Sequence, residues 1–182
     1  LLENTQKQAT ALEQKLGQGY RVFPSMRYWH PMADQVIEQV KPYDPDDIVL
    51  LPLYPQYSTT TTKSSYEDWQ IQAQKQGLNK PTRFVCCYPM GAGFIQQSAE
   101  NIQPLWDQYQ GQRRKLLFSA HGLPEKIVKS GDPYQWQCEQ TAEKIAQYMG
   151  LKPDQWQICY QSKVGRLKWI TPSIDQALDQ AA

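Results

Sequence analysis

An α/β fold built on parallel strands covered by helices is what this sequence predicts, and three observations carry that prediction. Short apolar runs alternate with amphipathic stretches, the connections between them are short, and the alternation starts again near residue 115 after the polar stretch Gln110 to Arg114. Strands that alternate with helices across short connections pair in parallel, and helices then cover both faces of the sheet.

The elements follow in order. Residues 1 to 16 set Ala9, Leu12 and Leu16 at helical spacing among Gln, Lys and Glu, and Gly17 and Gly19 end that helix. Tyr20 to Met26 predicts a short strand. Pro31 to Val40 predicts a second helix with Met32, Val36, Ile37 and Val40 on its inner face. The run Ile48-Val49-Leu50-Leu51-Pro52-Leu53 is continuously apolar behind Asp46-Asp47, the pattern of a strand buried on both faces. A polar loop from Tyr54 to Ser65 leads to a helix around Tyr66 to Gln76. Arg83 to Cys87 is a third strand, and Gly91-Ala92-Gly93 precedes a helix over Phe94 to Tyr109. Lys115 to Ala120, Pro133 to Met149 and Trp156 to Tyr160 then read as strand, helix and strand. The chain opens in a helical pattern at Leu1-Leu2-Glu3-Asn4 with no initiator Met and stops inside another, Ile174 to Ala182. A segment of a longer chain is therefore expected, incomplete at both ends, with one domain over residues 1–110 and the start of a second over 111–182.

Composition narrows the function. The chain has 182 residues, 40% of them hydrophobic, enough for a core without disulfides. Lys plus Arg is 19 against 18 for Asp plus Glu, a net charge of +1, which disfavours a nucleic-acid surface. No run approaches the roughly 20 apolar residues of a membrane span, and no signal-peptide pattern occurs. A cytoplasmic protein is expected, and docking of an apolar loop on a membrane surface stays compatible with that. Cys86, Cys87, Cys138 and Cys159 repeat no C-x-x-C unit. Adjacent Cys86 and Cys87 on a strand point to opposite faces, poor geometry for gripping one ion, so all four are expected to be reduced and mostly buried, with a zinc or iron–sulfur site as the alternative reading.

Ligands of open α/β sheets sit beyond the carboxyl ends of the strands, and four strand-end loops carry unusual content. Met26-Arg27-Tyr28-Trp29-His30-Pro31 places a fixed cation among aromatics, which suits a flat anionic ligand; a surface cation beside a core-edge tyrosine is the plainer account. From Tyr57 to Ser65 the chain carries eight hydroxyl side chains, able to hold a carboxylate or phosphate, or simply to cap the following helix through Ser64 or Ser65. Phe118-Ser119-Ala120-His121-Gly122-Leu123-Pro124 delivers one of only two histidines into a turn at a strand end, where an α/β enzyme presents catalytic groups; a structural histidine is the plainer account. Tyr160 to Trp169 again mixes hydroxyl, cation and an aromatic plate, or is an ordinary turn with Trp169 as packing. No G-x-G-x-x-G or G-x-x-x-x-G-K-[ST] occurs, which argues against a generic nucleotide-binding domain.

Taken together, LYPQYS at 53 to 58, FSAHGLP at 118 to 124, GDPY at 131 to 134 and YQSKVG at 160 to 165 resemble the ferrochelatase family in kind and order, and MRYWHP at 26 to 31 is similar to its arginine-tyrosine loop. The resemblance implies two similar Rossmann-like domains of three layers with a porphyrin cleft between them, and insertion of Fe²⁺ into protoporphyrin IX to give protoheme. It implies His121 as the metal-site and catalytic histidine. It further implies that Arg27, Tyr28, Tyr54, Ser58, Ser162 and Trp169 line the porphyrin cleft or lie close to it. A glutamate completing the metal site is expected beyond residue 182. Where animal members hold an iron–sulfur cluster partly through a cysteine in the hydroxyl loop, this chain has Thr59, so no cluster is expected and no cofactor beyond the substrate iron. Two alternatives remain at this point: a related chelatase that inserts Co²⁺ or Ni²⁺ into another tetrapyrrole, and a porphyrin-binding module without catalysis. The sequence does not speak to the oligomeric state.

Overall fold

The computed structural model describes residues 2–181; the helical readings of Leu1 and Ala182 lie outside the described residues. It is a mixed α/β structure with parallel strands, arranged as two compact units. Unit 1 comprises the described residues up to Leu53 together with Thr59–Cys86, and unit 2 comprises Tyr54–Ser58 with the residues from Cys87 onward.

In unit 1, helix α1 (Leu2–Leu16) is followed by α2 (Ala33–Tyr43), strand β1 (Ile48–Leu50), a π-helical turn (Thr59–Lys63), α3 (Ser64–Lys75) and β2 (Thr82–Phe84). β1 and β2 pair in parallel, Ile48 opposite Thr82 and Leu50 opposite Phe84. Val36, Ile37 and Val40 of α2 are buried as their spacing predicts, and with Ala33 and Trp69 they form the core onto which Phe23, Ile48 and Leu50 pack. Burial of a side chain such as Ile37, 0% exposed, contributes about 2 kcal/mol through the apolar surface it removes from water.

Three expectations fail in this unit. Tyr20 to Met26 forms no strand. Pro24 has no N–H to give a ladder, the Val22 N–H donates to Glu13 Oε2 at 2.8 Å, and the Met26 N–H donates to Pro31 O at 2.8 Å. The apolar run from Ile48 is not buried on both faces: Val49, Leu51 and Leu53 are exposed, because only the Ile48 and Leu50 side packs on the core. The polar loop is not a loop throughout, since Thr59–Lys63 winds as a π-helical turn and runs directly into α3. Ser64 therefore stands inside the helix, and its cap position is occupied by Lys63 without a side-chain hydrogen bond.

In unit 2, α4 (Ala92–Gln108), β3 (Leu116–His121), the short α5 (Glu125–Lys129), α6 (Tyr134–Tyr148), a 3-10 turn (Pro153–Gln155), β4 (Trp156–Gln161) and α7 (Ile174–Ala181) follow in order. β3 and β4 pair in parallel along their whole length, Leu116 opposite Trp156 and His121 opposite Gln161. α4 packs on α6 through Ile95, Ala99 and Ile145, with Phe94, Ile102, Phe118 and Met149 around them. Cys138 and Cys159 are buried, but Cys86 is exposed and Cys87 half-buried, because both lie past the end of β2. Among the described residues no helix is long and apolar enough to cross a membrane.

Candidate functional site

The site in unit 2 is built where β3 and β4 end side by side. His121 is the last residue of β3, paired with Gln161, and is exposed. Its Nδ1 lies 2.9 Å from the Gly122 carbonyl oxygen. A carbonyl only accepts, so Nδ1 carries the proton in that contact, and in the neutral ring the lone pair is on Nε2. The strand end thus presents an imidazole with a defined tautomer, able to take a proton or to bind a metal ion.

Trp169 is fixed beside this turn. The stretches around Leu123 and Trp169 run antiparallel, with a bridge between Pro124 and Trp169. The Ile170 N–H donates to Leu123 O at 3.0 Å, and the Glu125 N–H to Lys168 O at 2.9 Å. A Cβ on Gly122 would stand 3.1 Å from Trp169 Cε3, so the bare glycine is what admits the indole at this distance. The indole N–H donates to Val164 O at 3.0 Å, which closes the loop from 164 to 169. Glu125 ties the same loop to α5: Lys129 Nζ is 2.7 Å from one carboxylate oxygen and Lys168 Nζ 3.1 Å from the other. These hydrogen bonds, Lys129 first, hold the Glu125 carboxyl below its ordinary range. A groove of about 380 Å³ opens here, lined by residues that include Pro124, Lys126, Lys129, Leu167 and Lys168; His121 is not among them.

Ser162 immediately follows the Gln161 that pairs with His121, is exposed, and has φ 68. A non-glycine residue in the left-handed region is held there by its surroundings, a feature that clusters at binding sites. Tyr54 is 40% exposed. Ser58 is different: it is 1% exposed, and its hydroxyl donates to Asp132 Oδ2 at 2.9 Å. The hydroxyl that the sequence suggested for a ligand therefore faces a carboxylate of unit 2.

Arg27 and Tyr28 belong to unit 1, where they form a patch with the hydroxyl-rich turn. Arg27 Nε donates to Ser64 Oγ at 2.9 Å, its guanidinium lies 3.9 Å from Asp68 Oδ2, and it sits 5.2 Å from the centre of the Tyr28 ring. The Tyr28 hydroxyl donates to Thr60 O at 3.0 Å, while the residue as a whole is 67% exposed. The hydroxyl run thus orients a cation and an aromatic plate, and Ser64 serves as acceptor for Arg27 rather than as a helix cap. The other histidine, His30, lies 2.9 Å through Nδ1 from Gln35 Oε1, which also accepts from the Met32 N–H at the start of α2.

Sequence reasoning missed Asp132, Gln137 and Thr141, three buried polar residues on or just before α6. Asp132 was in view inside GDPY without a role; Gln137 and Thr141, four apart among Cys138, Ala142 and Ile145, carried the signal of a polar pair on an inner face. Tyr134, at the start of α6, has its phenol at the backbone of His121 and beside Cys138. Among the described residues no group of three or more His, Cys, Asp or Glu side chains could hold a metal ion.

Parallel strands whose carboxyl ends present an exposed imidazole beside a packed tryptophan define an α/β protein with a candidate site at the sheet rim. A family model described as Ferrochelatase matches residues 1–182, and the chain belongs to the ferrochelatase family. Curated proteins named Ferrochelatase are similar to it. One from Wolbachia sp. subsp. Drosophila simulans (strain wRi) is 46% identical over 190 residues, covering 100% of this chain and 59% of that protein. One from Caulobacter vibrioides is 46% identical over 188 residues, covering 100% of this chain and 53% of that protein. One from Hyphomonas neptunium is 44% identical over 186 residues, covering 98% of this chain and 50% of that protein. The chain therefore spans between half and three-fifths of the length of these relatives.

Proposed function

We propose that the protein carrying this chain is a ferrochelatase, a lyase of heme biosynthesis that inserts Fe²⁺ into protoporphyrin IX to form protoheme. The observation that carries the reading is the exposed His121 at the end of β3, with its Nδ1–H committed to the Gly122 carbonyl. Metal insertion requires two pyrrole N–H protons to leave and the nitrogen lone pairs to turn toward the metal. A neutral imidazole has a ring-nitrogen lone pair that can accept a proton and is a competent ligand for ferrous iron. Nε2 supplies either service, and His121 is assigned both.

Distorting the macrocycle draws on binding free energy from parts of the substrate that do not react. Ser162 and Tyr54 offer hydroxyls to the propionates, Trp169 offers a plate to the ring, and Arg27 and Tyr28 offer a cation and a second plate. Ser58 enters the reading through Asp132, by holding its segment in place. The reading takes in two similar Rossmann-like domains of three layers, residues 1–110 in one and 111–182 beginning the other; the separate pairing of β1 with β2 and of β3 with β4 supports a division into two, while α4, before that boundary, groups with the second unit and packs on α6. The reading includes a cytoplasmic location, no iron–sulfur cluster, and a site that needs no cofactor besides its substrate metal.

The test is His121→Ala in the full-length protein. Iron insertion is expected to vanish while protoporphyrin binding, followed by absorbance, stays within about threefold of wild type, because the lost group acts on the reacting nitrogens and not on the ring as a whole. Retained turnover removes His121 from the mechanism.

A further inference from the structure

We propose that the buried polar face at the start of α6 is a positioning device for the substrate site, and that Gln137 is its central residue. The inference rests on the ferrochelatase reading above and adds to it a residue that touches no substrate.

Seven side-chain hydrogen bonds converge there, all within unit 2. Gln137 Oε1 accepts from the Tyr57 N–H at 2.7 Å, and its amide nitrogen lies 3.6 Å from Cys87 Sγ. Thr141 Oγ1 accepts from Gln56 Nε2 at 2.9 Å and donates its proton either to Pro89 O at 2.8 Å or to Gln137 O at 2.9 Å. Asp132 accepts from Ser58 Oγ through one oxygen and from the Tyr134 N–H at 3.0 Å through the other. The backbone adds one more tie, from the Tyr88 N–H to Pro55 O at 2.8 Å. Three consecutive residues, Gln56, Tyr57 and Ser58, are thus held by one helix and the residue two before it. Tyr54, the residue of this segment read as a porphyrin contact, lies just upstream.

The same helix begins beneath the histidine turn, since the Tyr134 phenol reaches the His121 backbone. One rigid element therefore sets both the segment that carries Tyr54 and the strand end that carries His121. Buried polar groups with saturated partners specify a unique geometry, and each lost partner is felt. Gln137, Thr141 and Asp132 are 8%, 7% and 5% exposed, so a direct role in binding substrate is not what they offer.

The experiment compares Gln137→Met, which fills the space but cannot accept from Tyr57, with Gln137→Glu, which keeps the acceptor oxygen, both in the full-length protein. Steady-state iron insertion is measured against protoporphyrin concentration, with thermal unfolding recorded in parallel. The Met variant is expected to raise the protoporphyrin KM about tenfold with kcat within about twofold, and the Glu variant to restore KM to within about threefold of wild type. A purely structural residue would reduce the folded fraction and so the apparent kcat, leaving KM unchanged, and that pattern overturns the proposal. If the Met variant does not fold, Thr141→Val gives the second reading, with the same rise in KM expected and an unchanged KM overturning the claim. A wild-type protein that inserts no iron overturns the functional reading and this inference with it, whereas normal wild-type turnover with an unmoved KM in the variants overturns the positioning claim alone.

Discussion

Ser58 shows how much a single side chain's surroundings decide. In sequence it is one hydroxyl among eight, set apart only by the LYPQYS resemblance, which implied a ligand for it. In the fold it is 1% exposed with its proton on Asp132, while Ser64 accepts from Arg27. Ser58→Ala removes a donor from a buried carboxylate, where a hydrogen bond to a charged group contributes about 1.5–3 kcal/mol. The variant is expected to lower stability by that amount, read as a shift of the urea midpoint at unchanged slope. A change under about 0.5 kcal/mol would show that Asp132 is satisfied without it. His121 is the opposite case. Its place at the end of a strand was legible from the sequence, whereas the contact of its Nδ1 with the Gly122 carbonyl was not.

The helices were the legible elements, because an apolar stripe at 3.6-residue spacing survives in the sequence whatever the helix packs against. α2 is the clearest instance: Val36, Ile37 and Val40 are all under 5% exposed. Ile37→Ala is expected to cost about 2–5 kcal/mol and Ile37→Val about 0.5–1.5 kcal/mol, measured by urea unfolding. Equal, small effects would place Ile37 outside the core. Strands were less legible, since an apolar run reports the demand for burial and not whether a partner meets it. Val49 and Leu51 satisfy the pattern and remain exposed. The π-helical turn over Thr59–Lys63 was invisible for a related reason: i to i+5 bonding has no residue signature, and four threonines in succession look like a loop. The polar face of α6 went unread because its partners, Gln56, Tyr57, Cys87 and Pro89, lie more than 45 residues away in sequence.

Across the whole chain, protonation is linked to folding on the alkaline side. Burial pushes the Cys138 thiol up to about 11 from an ordinary value of 9.0. It also raises the phenols of Tyr134 and Tyr160, the latter further because of the Glu139 carboxylate. All three groups are neutral in the folded state and ionise earlier in the unfolded chain. The Cys138 contribution, about 3 kcal/mol, is therefore complete below about pH 9 and is lost as pH rises through about 11, while that of the two tyrosines begins to fall only above about pH 10 and extends beyond the Cys138 window. Urea midpoints are expected to hold from pH 7 to 8.5 and fall steeply between 9 and 11, with a shallower fall in Cys138→Ala; a flat profile in wild type would contradict the burial of these groups. The division into units has a different consequence. Residues 54–58 belong with the second unit and 59–86 with the first, so the chain passes from one to the other three times. No single crossover between two genes exchanges either unit intact, and no single proteolytic nick releases one from the other. Grafting either unit onto a foreign partner would take several simultaneous cuts and joins.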